Sequence, residues 1–359
     1  MILLELVLDS TLLPQFFLGV FSLSINPESY FDSMSVISML SFPNKKRFAF
    51  TIFDDTDHST LKNVKPVYDL LTDLGFKTTK SIWIYPPRGN FTGSCLQDPD
   101  YLSWILELQS HGFEIGLHNV GDGAFNRNEI LAGLEIYNSL LGHYPTCHTN
   151  HANNPDNIYW LKDRFDWPFN DLYGLFRLIN AKSLFSKGSD PSSEYFWGDI
   201  AKQHLRYTRN FTFNGINTLH FDPRMPYRIR KKDTYSNLWF SSSDGRNLTE
   251  MNQLLNPDNV DALEQEGGVS IVYTHFASGF VDAEGRLDTI FKRQMEYLAA
   301  KEGWFVPVTE LLDHIAIDRP TDDPGYLYRF GLNWHWLKNH LQRRSKKSDK
   351  SAAIESDFL

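Results

Sequence analysis

The chain has 359 residues, 42% of them hydrophobic, enough apolar surface for one large domain or two ordinary ones. A formal charge of −9 argues against nucleic acid as the main partner, because phosphate contacts need a basic face. Two cysteines, Cys95 and Cys147, build no disulfide framework and point to a reducing, cytoplasmic setting.

The apolar stretch from Met1 to Val20 carries Glu5, Asp9 and Pro14, and no Lys or Arg precedes Lys45. It is therefore a poor export signal and a poor membrane span. Residues 1–40 read as an N-terminal extension, and no stable membrane insertion is expected. The run Arg47 to Phe53 reads as a buried strand ending on Asp54 and Asp55, with Thr56-Asp57-His58 close behind. Leu61, Val64, Val67, Leu71 and Leu74 recur at helical spacing, and Gly75 is placed to stop that helix. Lys77 to Tyr85 is a second strand, and Asp98-Pro99 opens a helix that Gly112 ends. Phe113 to Leu117 is a short strand with His118 at its tip. Ile130, Leu134, Tyr137 and Leu141 mark a third helix, and Thr146-Cys147-His148 a fourth strand. Strands alternating with helices imply parallel pairing with right-handed crossovers, hence a doubly wound sheet or a barrel.

Residues 168–268 show no sustained period and read as an insertion. Regular pattern returns at Gly268 to Thr274, a strand ending on His275, then a helix from about Arg286 to Lys301. Trp304 to Val308 is the last strand, with a helix from Thr309. Residues 319–359 read as an extension closing in a charged, disordered tail around Gln342 to Lys350.

Three strand ends thus offer Asp54/Asp55, His118 and His275. A divalent metal such as zinc takes a few nitrogen and oxygen ligands and keeps one position open when it is catalytic. Asp55 and His118 fit as two ligands, with Asp122 as a third because positions i and i+4 share one side of a helical turn; His151 is the alternative. The competing reading of the aspartate pair is a helix-capping turn through Asp57 or Ser59.

In order along the chain, five segments resemble motifs of the polysaccharide deacetylase family (carbohydrate esterase family 4). They are Thr51 to Asp55, Gly112 to Asn119, Asp163-Arg164-Phe165-Asp166-Trp167, Tyr273-Thr274-His275 and Gly303 to Leu312. The resemblance implies a distorted (β/α) barrel over 41–318. It implies Asp54 as general base, Asp55 as metal ligand, His118 as second ligand and His275 as general acid. His148, Asn150, Asp166 and Trp167 become candidates for substrate contact. The family's Arg-x-Pro-Tyr segment, whose arginine orients the base, is missing; Cys147 to Pro155 stands in its place.

The function expected is removal of an N-acyl (or O-acyl) group from an amino sugar or glycan precursor. The alternatives are a non-catalytic carbohydrate-binding protein on a decayed deacetylase fold and a metal-independent glycosidase. On the first reading, Asp54→Asn should abolish turnover and spare stability.

Overall fold

The computed structural model describes residues 40–180, 183 and 185–348. Apart from Leu40, the N-terminal extension lies outside them. Eight parallel strands are present: β1 (Phe48–Asp54), β2 (Thr79–Ile82), β3 (Glu114–Leu117), β4 (Cys147–His148), β5 (Tyr207–Phe213), β6 (Leu238–Asp244), β7 (Val269–Thr274) and β8 (Gly303–Phe305). Strands β1 to β7 follow one another round a ring, which closes where β1 pairs with both β7 and β2. The fold is an α/β barrel of the expected distorted (β/α) type.

The distortion sits at β1. It pairs with β7 from Ala49 to Asp54, but with β2 only at Phe53 and Asp54. Below that point the two strands part, and β8 fills the gap by pairing with Phe48, Ala49 and Phe50.

The connections between strands carry helices α1 (Leu61–Asp73), α2 (Pro99–Ser110), α3 (Arg127–Leu141), α4 (Phe169–Ile179), α5 (Gly198–His204), α6 (Leu248–Leu254), α7 (Pro257–Glu266) and α8 (Thr289–Ala299), and α9 (Val308–Asp318) and α10 (Tyr326–Ser348) follow β8. Their ends follow local chemistry. Asn63 Oδ1 accepts from the Thr60 N–H at 2.7 Å to start α1, so the helix draws its cap from neither Asp57 nor Ser59. Asn126 and Glu129 exchange side-chain and backbone bonds to open α3, and Gly142 at φ 81° closes it.

Every residue of β1 is buried, yet its side chains alternate. Phe48, Phe50 and Ile52 pack with α1, α2 and α3; Ala49 and Phe53 pack with Phe240 and Ile271 on the other face.

Residues 168–268 supply two of the seven barrel strands. Their pattern hid them because the faces they bury are polar: Arg209 and Asn210 lie in β5, and β6 runs Ser241-Ser242-Ser243-Asp244, all buried. The stretch expected to be a tail is helical through Ser348, with Tyr328 and Leu332 buried against β5 and β6 neighbours; residues past 348 lie outside those described. Among the described residues, no helix is long and apolar enough to cross a membrane.

Helix α10 docks through a buried carboxylate. Asp222 accepts from Tyr328 Oη at 2.5 Å, from Ser241 Oγ at 2.6 Å and from Tyr227 Oη at 3.4 Å. Burial pushes Asp222 up to about 6, against the pull of those three hydroxyls. An acid raised on folding contributes stability below its unfolded value and loses it as pH rises through the folded one. The window is therefore about pH 4 to 6. Relative to Asp222→Asn, the wild type should lose up to about 3 kcal/mol across that window, read from urea unfolding at both ends. A difference between the two proteins that stays constant with pH would refute this role.

Candidate metal centre

Strand alternation decides where each acidic group points. Asp54 continues the outward row of Phe48, Phe50 and Ile52. Its carboxylate lies 2.9 Å from Lys80 Nζ and accepts from Tyr68 Oη at 3.0 Å and the Phe276 N–H at 2.9 Å. Asp54 and Lys80 have no exposed side-chain surface. Burial would lower the Lys80 ammonium, but Asp54 holds it above its ordinary value. Asp54 is thus a closed ion pair between β1, β2 and α1, outside the polar cluster described next.

Asp55 and Asp57 turn the other way. Asp55 accepts both Arg209 N–H groups, at 3.0 and 2.6 Å, and stands 4.0 Å from His118 Nε2. Arg209 comes from β5 and stacks over Tyr273, 4.3 Å from its ring centre. Burial would lower the guanidinium, and Asp55 more than compensates.

Asp57 Oδ1 lies 3.2 Å from both His118 Nε2 and His151 Nε2. The three donor atoms fall within 4.8 Å of one another, are buried, and make no directed hydrogen bond. Each imidazole is fixed from behind. His118 Nδ1 meets the Thr149 carbonyl at 3.2 Å, which can only accept, so that nitrogen carries the proton. His151 Nδ1 meets Asn154 Oδ1 at 3.1 Å, with Asp122 Oδ1 at 3.5 Å. The Asn154 amide is itself oriented, accepting from Gly123 N–H and donating to the Gly121 carbonyl. Both Nε2 lone pairs therefore face Asp57. Two imidazoles and one carboxylate with ordered outer partners are a donor set that fits a divalent cation.

Burial would raise Asp57, but His118, His151 and His275 hold it well below the usual carboxylate range. His151 and His275 would be lowered by burial, and Asp57 raises both. His275 stands at the edge of the cluster, with Nε2 3.3 Å from Asp57 Oδ2 and Nδ1 3.1 Å from the Arg246 carbonyl. Trp83 and Phe91 meet the His151 ring edge-on and form an apolar wall.

The expected ligand trio Asp55, His118 and Asp122 is not what converges. His118 is joined by Asp57 and by His151, the alternative ligand. Asp122 stands behind His151 and accepts from the Phe91 N–H at 2.8 Å.

His148 and Asn150 hold the loop that carries His151. His148 Nε2 donates to Asn119 Oδ1 at 3.1 Å, and burial pushes its imidazole down to about 3, so it is neutral. Asn150 bonds the Ile158 backbone in both directions. Asp166 is held by Lys231 at 2.5 Å and Arg329 at 2.9 Å; Trp167 beside it is 55% exposed.

Two residues of the cluster escaped sequence reading. Asp57 lies in the turn beyond β1, two residues past Asp55, where strand alternation no longer sets direction. Arg209 lies in a segment whose strand period was masked.

Asn119 is the knot behind the cluster, at φ 50°. Its Nδ2 donates to Asp156 Oδ2 at 2.7 Å and Asn157 Oδ1 at 2.9 Å, while its Oδ1 also accepts from the His151 N–H at 3.3 Å.

No family model matches the chain, and no curated protein matches it. Among solved structures it is similar to peptidoglycan deacetylase PdaC from Bacillus subtilis, with TM-score 0.35 and 11% identity over 87% of this chain and 100% of that one. The polysaccharide deacetylase Bc1974 from Bacillus cereus gives 0.30 and 8% over 73% and 91%. Aspergillus clavatus Sph3, solved in complex with GalNAc, gives 0.32 and 12% over 71% and 98%.

Two outcomes follow from the geometry. Asp54→Asn leaves Lys80 buried without its counter-charge and should cost about 3 kcal/mol in urea unfolding. An unfolding curve equal to wild type would contradict the ion-pair role. Asn119→Ala should weaken binding of whatever divalent cation the trio holds about 10- to 100-fold in a chelator competition, as loss of outer-sphere support does.

Proposed function

We propose that the protein is a divalent-metal-dependent hydrolase that removes an N-acyl (or O-acyl) group from an amino sugar or glycan precursor. One observation carries the reading: three buried lone-pair donors with fixed tautomers converge beside a tethered carboxylate and a reachable imidazole. Asp57, His118 and His151 would hold the cation, zinc being the choice that two imidazoles and a carboxylate favour. When bound, it supplies Lewis-acid polarisation of the acyl carbonyl and a more acidic water.

The remaining chemistry belongs to side chains. We assign the base to Asp55 in place of Asp54, because Asp55 is the carboxylate next to His118 that is not itself in the donor trio. Arg209 aligns it by a two-pronged contact and leaves lone pairs open to take a proton from the attacking water. His275 would protonate the departing amine. Trp83 and Phe91 keep bulk water from the His151 side. The saccharide part of the reading rests on the order of the sequence motifs and on the exposed Trp167. A cytoplasmic setting rests on the two unpaired cysteines.

Purified protein should carry about one zinc per chain by elemental analysis and release acetate from an N-acetylated amino-sugar oligomer. Asp57→Ala and His151→Ala should each lose the metal and turnover together. Asp55→Asn should keep the metal and lower kcat by about a thousandfold. No bound metal, and none recruited at micromolar levels, would favour a non-catalytic carbohydrate-binding protein. Turnover that survives chelation would favour glycosidase chemistry.

A further inference from the structure

A second cavity, of about 580 Å³, lies between the loop after β4, the segment after α4 and the segment before β6. Four lysines line it: Lys162, Lys187, Lys231 and Lys232. Its size suits a small organic ligand, and Tyr159, Phe165 and Phe185 supply ring surface beside the cations.

Lys232 is the unusual member. It is 2% exposed, and its ammonium makes one hydrogen bond, to the Arg164 carbonyl at 3.3 Å. Otherwise it faces the rings of Trp239, at 4.7 Å, and Tyr159, at 5.9 Å. Among the described residues no carboxylate pairs with Lys162, Lys187 or Lys232; Lys162 lies over the Phe185 ring at 4.5 Å. Burial and then the neighbouring Lys231 charge push Lys232 down to about 7. Asp166 and Asp163 pull the other way without pairing with it. A buried ammonium that lacks a paired counter-ion is costly, and a bound anion would relieve that cost.

The carboxylates near the cavity have other duties. Asp190 accepts from the Ser192 N–H and hydroxyl, and Asp166 holds Lys231 with Arg329 on its far side. Asp163 also lines the wall, half-buried, and burial raises it. Lysines are point-charge partners for phosphoryl oxygens.

We propose that this cavity binds the phosphoryl group of a phosphorylated saccharide, with Lys232 at its floor, Lys162 and Lys187 closing on the oxygens, and the rings against the organic part. The wall is bonded to the loop that carries His151: the Lys187 N–H donates to the Pro155 carbonyl at 2.7 Å and the Gly188 N–H to the Asn157 carbonyl at 3.0 Å. Binding here does not depend on the proposed hydrolysis, so either can fail alone.

Calorimetric titration of the full chain tests it, with UDP-N-acetylglucosamine, neutral N-acetylglucosamine, glucuronate and inorganic phosphate as probes. The nucleotide sugar should bind with an affinity that falls with salt, and inorganic phosphate should displace it, while the neutral sugar does not. Displacement by inorganic phosphate assigns the contact to the phosphoryl group rather than the base. Lys232→Met, a volume-matched change in an apolar setting, should weaken binding about tenfold or more. Lys187→Ala, at the exposed rim, should weaken it about threefold without affecting the fold, which keeps the test open if Lys232→Met unfolds. Equal affinity in both variants, glucuronate binding as tightly as phosphate, or no binding up to about 5 mM would overturn the assignment.

Discussion

The alternation of side chains along β1 is the constraint on which the centre depends. This strand is bonded to β7, β2 and β8, so its register cannot shift without breaking three pairings at once. With register fixed, Asp54 must face the helices and Asp55 the barrel interior. Two adjacent carboxylates therefore meet different partners, Lys80 on one side and Arg209 on the other. Each pair is buried, and each would be costly with either member missing. The strand closes the ring and divides the charges in one step.

Behind the donors lies a layer made mostly of neutral groups, with the carboxyl groups of Asp122 and Asp156 among them. His148, Asn119, Asn150, Asn154 and Asn157 link the loops after β3 and β4 by directed bonds without adding charge. That choice matters in a buried site. Of the outer groups, Asp122 acts on His151 by charge from the Nδ1 side, whereas the amides fix orientation without adding to the field on the donors.

Much of the barrel was legible because its first half obeys simple periods. Leu61 to Leu74 and Ile130 to Leu141 advertise helices, and Gly75 and Gly142 mark their ends. Strands β5 and β6 were not legible, because buried positions such as Arg209 and Ser241 to Ser243 are polar and break the apolar run. The site was half legible for a related reason. His118, His151 and His275 stand just past strand ends and were found. Asp57 was passed over because the adjacent pair Asp54 and Asp55 drew the roles, and because it lies in the turn beyond the strand, where no period points it inward. Arg209 lies 154 residues from Asp55, and no local pattern links them.

The site is divided between the two halves of the ring. Asp57, His118 and His151 follow β1, β3 and β4, while Arg209 and His275 arrive with β5 and β7. A chain that had paired only β1 to β4 would already hold all three donors. A cation captured at that stage would favour every later conformation that keeps the donors together, by mass action. It would then act as an assembly partner for the first half of the barrel. The Asp55–Arg209 contact and the approach of His275 to Asp57, in contrast, could exist only once the ring had closed.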